Sequence, residues 1–142
     1  MSCKVESKAT FDFIGRYGSH PLAIEAKNTN TETIRFDRIE SNQADDMDDF
    51  CRAPGTIGLV VVSFNMRRFF AIPWYFWSEA YKVRVRQNDR QTPLILEGYG
   101  VRWEIPQKFS IRADEIPLEF EIPDHDYTFG IDYLKRAERY AY

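Results

Sequence analysis

Three residues near the start of the chain have the types and spacing for phosphodiester chemistry: Asp12, Glu25 and Lys27. Asp12 stands in Thr10-Phe11-Asp12-Phe13, and the other two in Leu22-Ala23-Ile24-Glu25-Ala26-Lys27. Side chains on a strand alternate between faces. Glu25 and Lys27 therefore share one face, and Leu22, Ile24 and Ala26 the other, which the pattern assigns to the core. Asp12 points away from Phe11 and Phe13. Gly18-Ser19 before Pro21 predicts a turn, so strands at about 11–17 and 21–28 form a hairpin. That hairpin brings Asp12 beside Glu25 and Lys27. Two carboxylates so close repel each other unless a cation lies between them. Hard oxygen ligands suit Mg²⁺, with Mn²⁺ as a substitute. A lysine beside such a metal orients or deprotonates a water, or stabilises charge on a phosphate. A half-buried strand with one solvated face produces the same alternation without any chemistry.

A helix is expected next, over about 36–52, because Phe36, Ile39, Met47 and Phe50 recur on one stripe. Gln43 falls on that stripe, where an apolar residue is expected. A buried polar group needs a partner. Two readings are open: a core glutamine bonded to backbone, or a glutamine facing the carboxylates or a bound strand.

Several runs together resemble RecU-type Holliday junction resolvases of the PD-(D/E)xK nuclease superfamily. They are Thr10-Phe11-Asp12-Phe13-Ile14-Gly15, Ala23-Ile24-Glu25-Ala26-Lys27-Asn28-Thr29, and then Phe36 and Gln43. Ile57–Phe64 and Phe69–Pro73 are similar to the family's next two strands, Lys108–Ile116 to its late Ser-Ile-Arg segment, and Ile131–Leu134 to the start of its terminal helix. The resemblance implies a restriction-endonuclease-like fold. It implies that Asp12 and Glu25 bind Mg²⁺ with the Ala26 carbonyl as a further ligand. It implies that Lys27 positions the attacking water, and that Thr10 and Gln43 line the site. It also implies a homodimer that nicks branched DNA at paired positions. Family members carry an upstream helix with another acid, and often a stalk before the Thr-x-Asp segment. Here nine residues precede Thr10, and Glu6 is the only acid among them. The expectation is a site short of one acid and a chain without the stalk.

The net charge of −3 by itself argues against a DNA binder, and the distribution partly restores that reading. Acids gather at Asp45, Asp46, Asp48 and Asp49 and again from Asp114 to Asp126. Bases gather at Arg35 and Arg38, at Arg67 and Arg68, and from Lys82 to Arg90. If Lys82-Val83-Arg84-Val85-Arg86 is extended, Lys82, Arg84 and Arg86 share a face and form a row suited to phosphates. A solvated edge strand is the other reading. Arg35 and Arg38, just after the site, are stronger candidates for the DNA backbone.

A length of 142 residues fits one domain over 1–142, and 44% hydrophobic content supports a core. The Trp74-Tyr75-Phe76-Trp77 cluster reads as core or as a dimer interface. No apolar signal segment opens the chain, and the longest apolar run, around 57–62, is too short for a bilayer. A cytoplasmic protein without membrane contact is expected. Cys3 and Cys51 are too few for a zinc site, and a disulfide does not suit that compartment. No serine or cysteine motif points to a covalent nucleophile, and no Gly-rich loop to a phosphate cradle.

The expected architecture is α/β: a central mixed sheet flanked by helices. An edge strand is expected at 3–9, strands at 57–64 and 68–72, and a helix from Pro73 to about 81. Short strands follow in 87–126, exchanged across a dimer, and a last helix at 131–141. The functional expectation is a metal-dependent, structure-selective DNA endonuclease. The rivals are a duplex or flap nuclease of the same superfamily and a non-catalytic DNA-binding or assembly module.

Overall fold

A computed structural model describes residues 11–123 and Tyr140. The strand expected at 3–9, the helix expected at 131–141 apart from Tyr140, and Thr10 lie outside the described residues.

The chain begins with a hairpin of β1 (Phe13–Tyr17) and β2 (His20–Thr29). Gly18 takes the first central position of its two-residue turn at φ 60°, where a type II′ hairpin turn requires glycine. After β3 (Thr33–Arg35) and a 3₁₀ turn over Phe36–Arg38 comes α1 (Ser41–Phe50). β4 (Ile57–Phe64) and β5 (Arg68–Pro73) follow, then α2 (Trp74–Tyr81). The remainder holds β6 (Leu94–Gly98), β7 (Val101–Ile105), β8 (Ser110–Arg112) and β9 (Glu121–Ile122).

Five strands form a sheet in the order β1-β2-β4-β5-β9. Among the described residues, β2 and β4 run parallel and the other neighbours are antiparallel. A parallel pair needs a long crossover, and residues 30–56, carrying β3 and α1, supply it. The fold is therefore α/β with a central mixed sheet, as expected. The cross-strand register puts Ala23, Glu25 and Lys27 beside Gly58, Val60 and Val62, and the two valines beside Ile72 and Phe70. Both helices cover this face. A Cβ on Gly58 would stand 2.4 Å from Cys51 Sγ, 3.2 Å from Met47 Cε and 3.3 Å from Trp74 Cβ. Glycine is what lets α1 and α2 sit so close to β4. The Trp74 indole N–H donates to Asp48 Oδ1 at 2.8 Å and ties the two helices together.

Three expectations are corrected, and the open reading of the Trp74–Trp77 cluster is decided. The helix does not run unbroken over 36–52. Extended backbone at Ile39 and Glu40 separates the 3₁₀ turn from α1. Glu40 and Gln43 then cap α1 reciprocally, each side chain bonded to the other's backbone N–H. Nor is the Leu22–Ile24–Ala26 face the enclosed one throughout. Leu22 is buried, but Ile24 is half-buried and Ala26 exposed, whereas Ala23 and Glu25 opposite are buried because the helices lie over them. Trp74, Phe76 and Trp77 are interior, so that cluster belongs to the core. Finally, Lys82–Arg86 is not extended. It continues α2 as a wide helical turn in which the Gln87 N–H reaches the Lys82 carbonyl.

Candidate active site

Strand β2 carries the site, and α1 closes it. Glu25 is 1% exposed, an unusual position for a carboxylate. Its Oε2 accepts a hydrogen bond from Gln43 Nε2 at 2.9 Å and lies 3.4 Å from Lys27 Nζ. Lys27 Nζ donates to Gln43 Oε1 at 3.3 Å, and the Glu40 backbone N–H donates to the same oxygen at 3.0 Å. Gln43 thus caps its helix and at the same time holds the two charged residues of the strand. Of the two readings of Gln43, the structure has it facing the carboxylate.

Asp12 lies just before β1, where the register runs on from the Phe13–Ile24 pair. Its Oδ2 accepts the Ala26 N–H at 2.8 Å. Asp12, Glu25, Ala26, Lys27 and Gln43 are thereby gathered at one end of the hairpin. Burial raises the Glu25 pKa above the ordinary carboxylate value, the Asp12 charge raises it further, and Lys27 partly offsets both.

Glu25 Oε1 is buried and has no hydrogen-bond partner. A buried carboxylate oxygen without a donor is costly unless a cation completes it. Two carboxylates meet here, Glu25 with this orphan oxygen and Asp12 with the oxygen not bonded to the Ala26 N–H. That donor set fits a hard divalent cation. No group of three or more His, Cys, Asp or Glu side chains suited to a metal occurs among the described residues. A cation held by two carboxylates takes its remaining ligands from waters and a substrate phosphate, the usual habit of Mg²⁺.

A family model described as Recombination protein U matches residues 1–97, more than half of the chain. The chain belongs to the Recombination protein U family. This is the family of the RecU-type Holliday junction resolvases, nucleases of recombination that act on branched DNA. The match takes in Asp12, Glu25, Lys27 and Gln43 and stops before Lys108–Ile116, so the late Ser-Ile-Arg likeness lies beyond it. No curated protein matches the chain.

The basic residues divide differently from expectation. Arg84 is fully buried. Its guanidinium donates to the carbonyls of Asp89 (3.0 Å), Thr92 (2.8 Å) and Pro106 (3.1 Å), fastening the segment that carries β6 and β7 to the end of α2. It is a structural clamp with no surface to offer DNA. Lys82 pairs with Glu79, and Arg86 pairs with Asp45 and lies over the Tyr81 ring. The row of three phosphate contacts does not form, because a helical turn spreads the side chains that a strand would align. Arg35 is held by both Asp37 oxygens, whereas the exposed Arg38 donates to the Asn28 carbonyl at 2.9 Å and interacts with the Asp37 charge more weakly. Arg38 is thereby anchored to the residue that follows Lys27.

Sequence reasoning missed the polar anchor beyond Lys27. The Ser63 hydroxyl donates to Asn28 Oδ1 at 2.6 Å, joining β4 to β2 one residue past the site. The Glu40-x-x-Gln43 spacing was the available signal for the cap. Nothing comparable announces the Asn28–Ser63 pair.

Proposed function

We propose that this chain is a Mg²⁺-dependent endonuclease that resolves four-way DNA junctions by paired nicks. One observation carries the reading: a buried carboxylate, Glu25, with one oxygen fixed by Gln43 and the other left for a cation, beside Lys27. Asp12, Glu25 and the Ala26 carbonyl would hold the metal. Mg²⁺ supplies a Lewis acid for the phosphate and its leaving oxygen when bound. Lys27 holds the attacking water through its ammonium group and offsets charge on the phosphorane-like transition state. Gln43 fixes Glu25 and Lys27 relative to each other, so neither must reorganise during reaction. Arg35 and Arg38 receive the DNA backbone near the strand end, and Thr10 lines the site. The proposal includes a single nuclease domain, a homodimer, as paired nicks require two sites, and action in the cytoplasm. No helix among the described residues is long and apolar enough to cross a membrane.

The test is incubation of the protein with a labelled four-way junction and a matched linear duplex, each with and without Mg²⁺. Paired, metal-dependent nicks in the junction alone support the reading. Cutting of both substrates replaces it with a general nuclease, and binding without cutting, even in Mn²⁺, with a non-catalytic module. Lys27→Ala is expected to abolish cleavage while leaving junction affinity within about twofold, since one phosphate contact among several is lost. Cleavage by that variant would remove Lys27 from the mechanism.

A further inference from the structure

The hairpin between β4 and β5 turns through Asn65, Met66 and Arg67. The Phe64 carbonyl accepts the Arg67 N–H at 3.0 Å, and the two residues between have φ of 55° and 54°. Positive φ at both central positions is the signature of a type I′ turn, which favours asparagine followed by glycine. Asn65 obeys that preference, but Met66 stands where glycine belongs. The β6–β7 hairpin of the same molecule keeps the rule, with Tyr99 at 52° and Gly100 at 80°. A bulky residue in the left-handed region is strained, and such strain points to a use.

Met66 is also 63% exposed. Its chain neighbours Asn65 and Arg67 are polar, and the cavity beside them carries both signs of charge, with Glu32, Arg68, Arg112 and Asp114 in its wall. Arg67 beside it is exposed and makes no ion pair among the described residues. The Asn65 N–H donates to the Thr29 carbonyl at 2.8 Å. The tip is therefore fastened to β2 two residues beyond Lys27, about 7 Å along the strand. The Ser63 hydroxyl that holds Asn28 also lies 3.5 Å from Met66 Sδ. The apolar side chain is thus held on a turn tied to the strand that carries the site, on the sheet face opposite Lys27, with Arg67 beside it.

We infer that Met66 is an apolar wedge that enters the base stack at the branch point of a DNA junction, with Arg67 on the adjacent phosphate. Methionine is among the side chains that proteins insert between base steps, and the insertion is easiest where stacking is already interrupted. A junction centre offers such a step and a continuous duplex does not. The wedge would then select branched DNA and set the position of the nick relative to the crossover. This rests on the junction-resolvase reading above.

The test places 2-aminopurine beside the branch point of a four-way junction and follows its fluorescence on binding, with Ca²⁺ replacing Mg²⁺ to suppress cleavage. Wild type is expected to unstack the probe. Met66→Gly relieves the turn and Met66→Gln keeps the length without the apolarity. Both are expected to lose about fivefold in fluorescence enhancement and junction affinity, with duplex affinity within about twofold of wild type. Met66→Gly is also expected to melt no lower than wild type, which separates the effect from misfolding. Full enhancement by both variants would overturn the wedge, as would an equal loss on junction and duplex. Wild-type binding to the junction without any enhancement would overturn the wedge and leave the resolvase reading standing. No preference of wild type for junction over duplex would overturn both.

Discussion

Glu25→Gln is expected to make the metal-free protein more stable while destroying its response to Mg²⁺. Glu25 is buried with one unpartnered oxygen, and burial and then Asp12 raise its pKa. An acid whose pKa is raised by folding binds more protons folded than unfolded across that window. The folded state therefore loses stability as pH rises through the raised pKa, and the full penalty is present once the pH is above it. Glutamine has the same shape and no charge. Its Oε1 keeps the bond from Gln43 Nε2, and its Nε2 replaces the orphan oxygen. A neutral unsatisfied group costs about 1–3 kcal/mol when buried, and a charged one more. The lost contact with Lys27 offsets part of this gain, because the pair is largely buried and the ammonium loses a counter-charge. The net expectation is a gain of about 1 kcal/mol in EDTA at neutral pH, shrinking as pH falls toward 4.5, the ordinary glutamate value. Metal acts oppositely: at tenfold excess over its Kd, a ligand bound only by the folded state stabilises by about 1.4 kcal/mol. Wild type should recover the deficit in Mg²⁺, and the variant should not move. Urea unfolding followed by the buried Trp74, Trp77 and Trp103 measures both differences. A variant less stable than wild type in EDTA, or equal shifts of the two proteins in Mg²⁺, would refute the view that Glu25 is held ready for a cation.

Two further substitutions probe how the scaffold holds the site. Gly58→Ala would drive a methyl to 2.4 Å from Cys51 Sγ and should cost about 1–3 kcal/mol by overpacking. Adding Cys51→Ala should restore part of the melting temperature, and no rescue would show that the clash lies elsewhere. Arg84→Met should cost about 3 kcal/mol or more in urea unfolding, because three carbonyls lose their buried donor. A cost below about 1 kcal/mol would mean that water replaces the guanidinium.

The hairpin, β4 and β5 were legible because each is a short apolar or alternating run bounded by turn residues, and that pattern is local. Asp12, Glu25 and Lys27 were legible for the same reason, since strand alternation and one turn suffice to bring them together. The helical stripe was only half legible. Phe36, Ile39 and Met47 are buried as the period predicts, yet the backbone between Arg38 and Ser41 is not helical, because Glu40 and Gln43 stop the helix by capping it.

What the sequence determined by itself was the chemistry available and the strand that bears it, since residue type and a period of two need no distant partner. The tertiary structure decided which face of that strand is enclosed, because only packing places α1 and α2 over Glu25 rather than over Ala26. It turned Gln43 from a misfit on a stripe into the group holding two charges. It also converted Arg84 from a surface base into a buried clamp, for the carbonyls that receive it come from residues 89, 92 and 106, which no local pattern links to it.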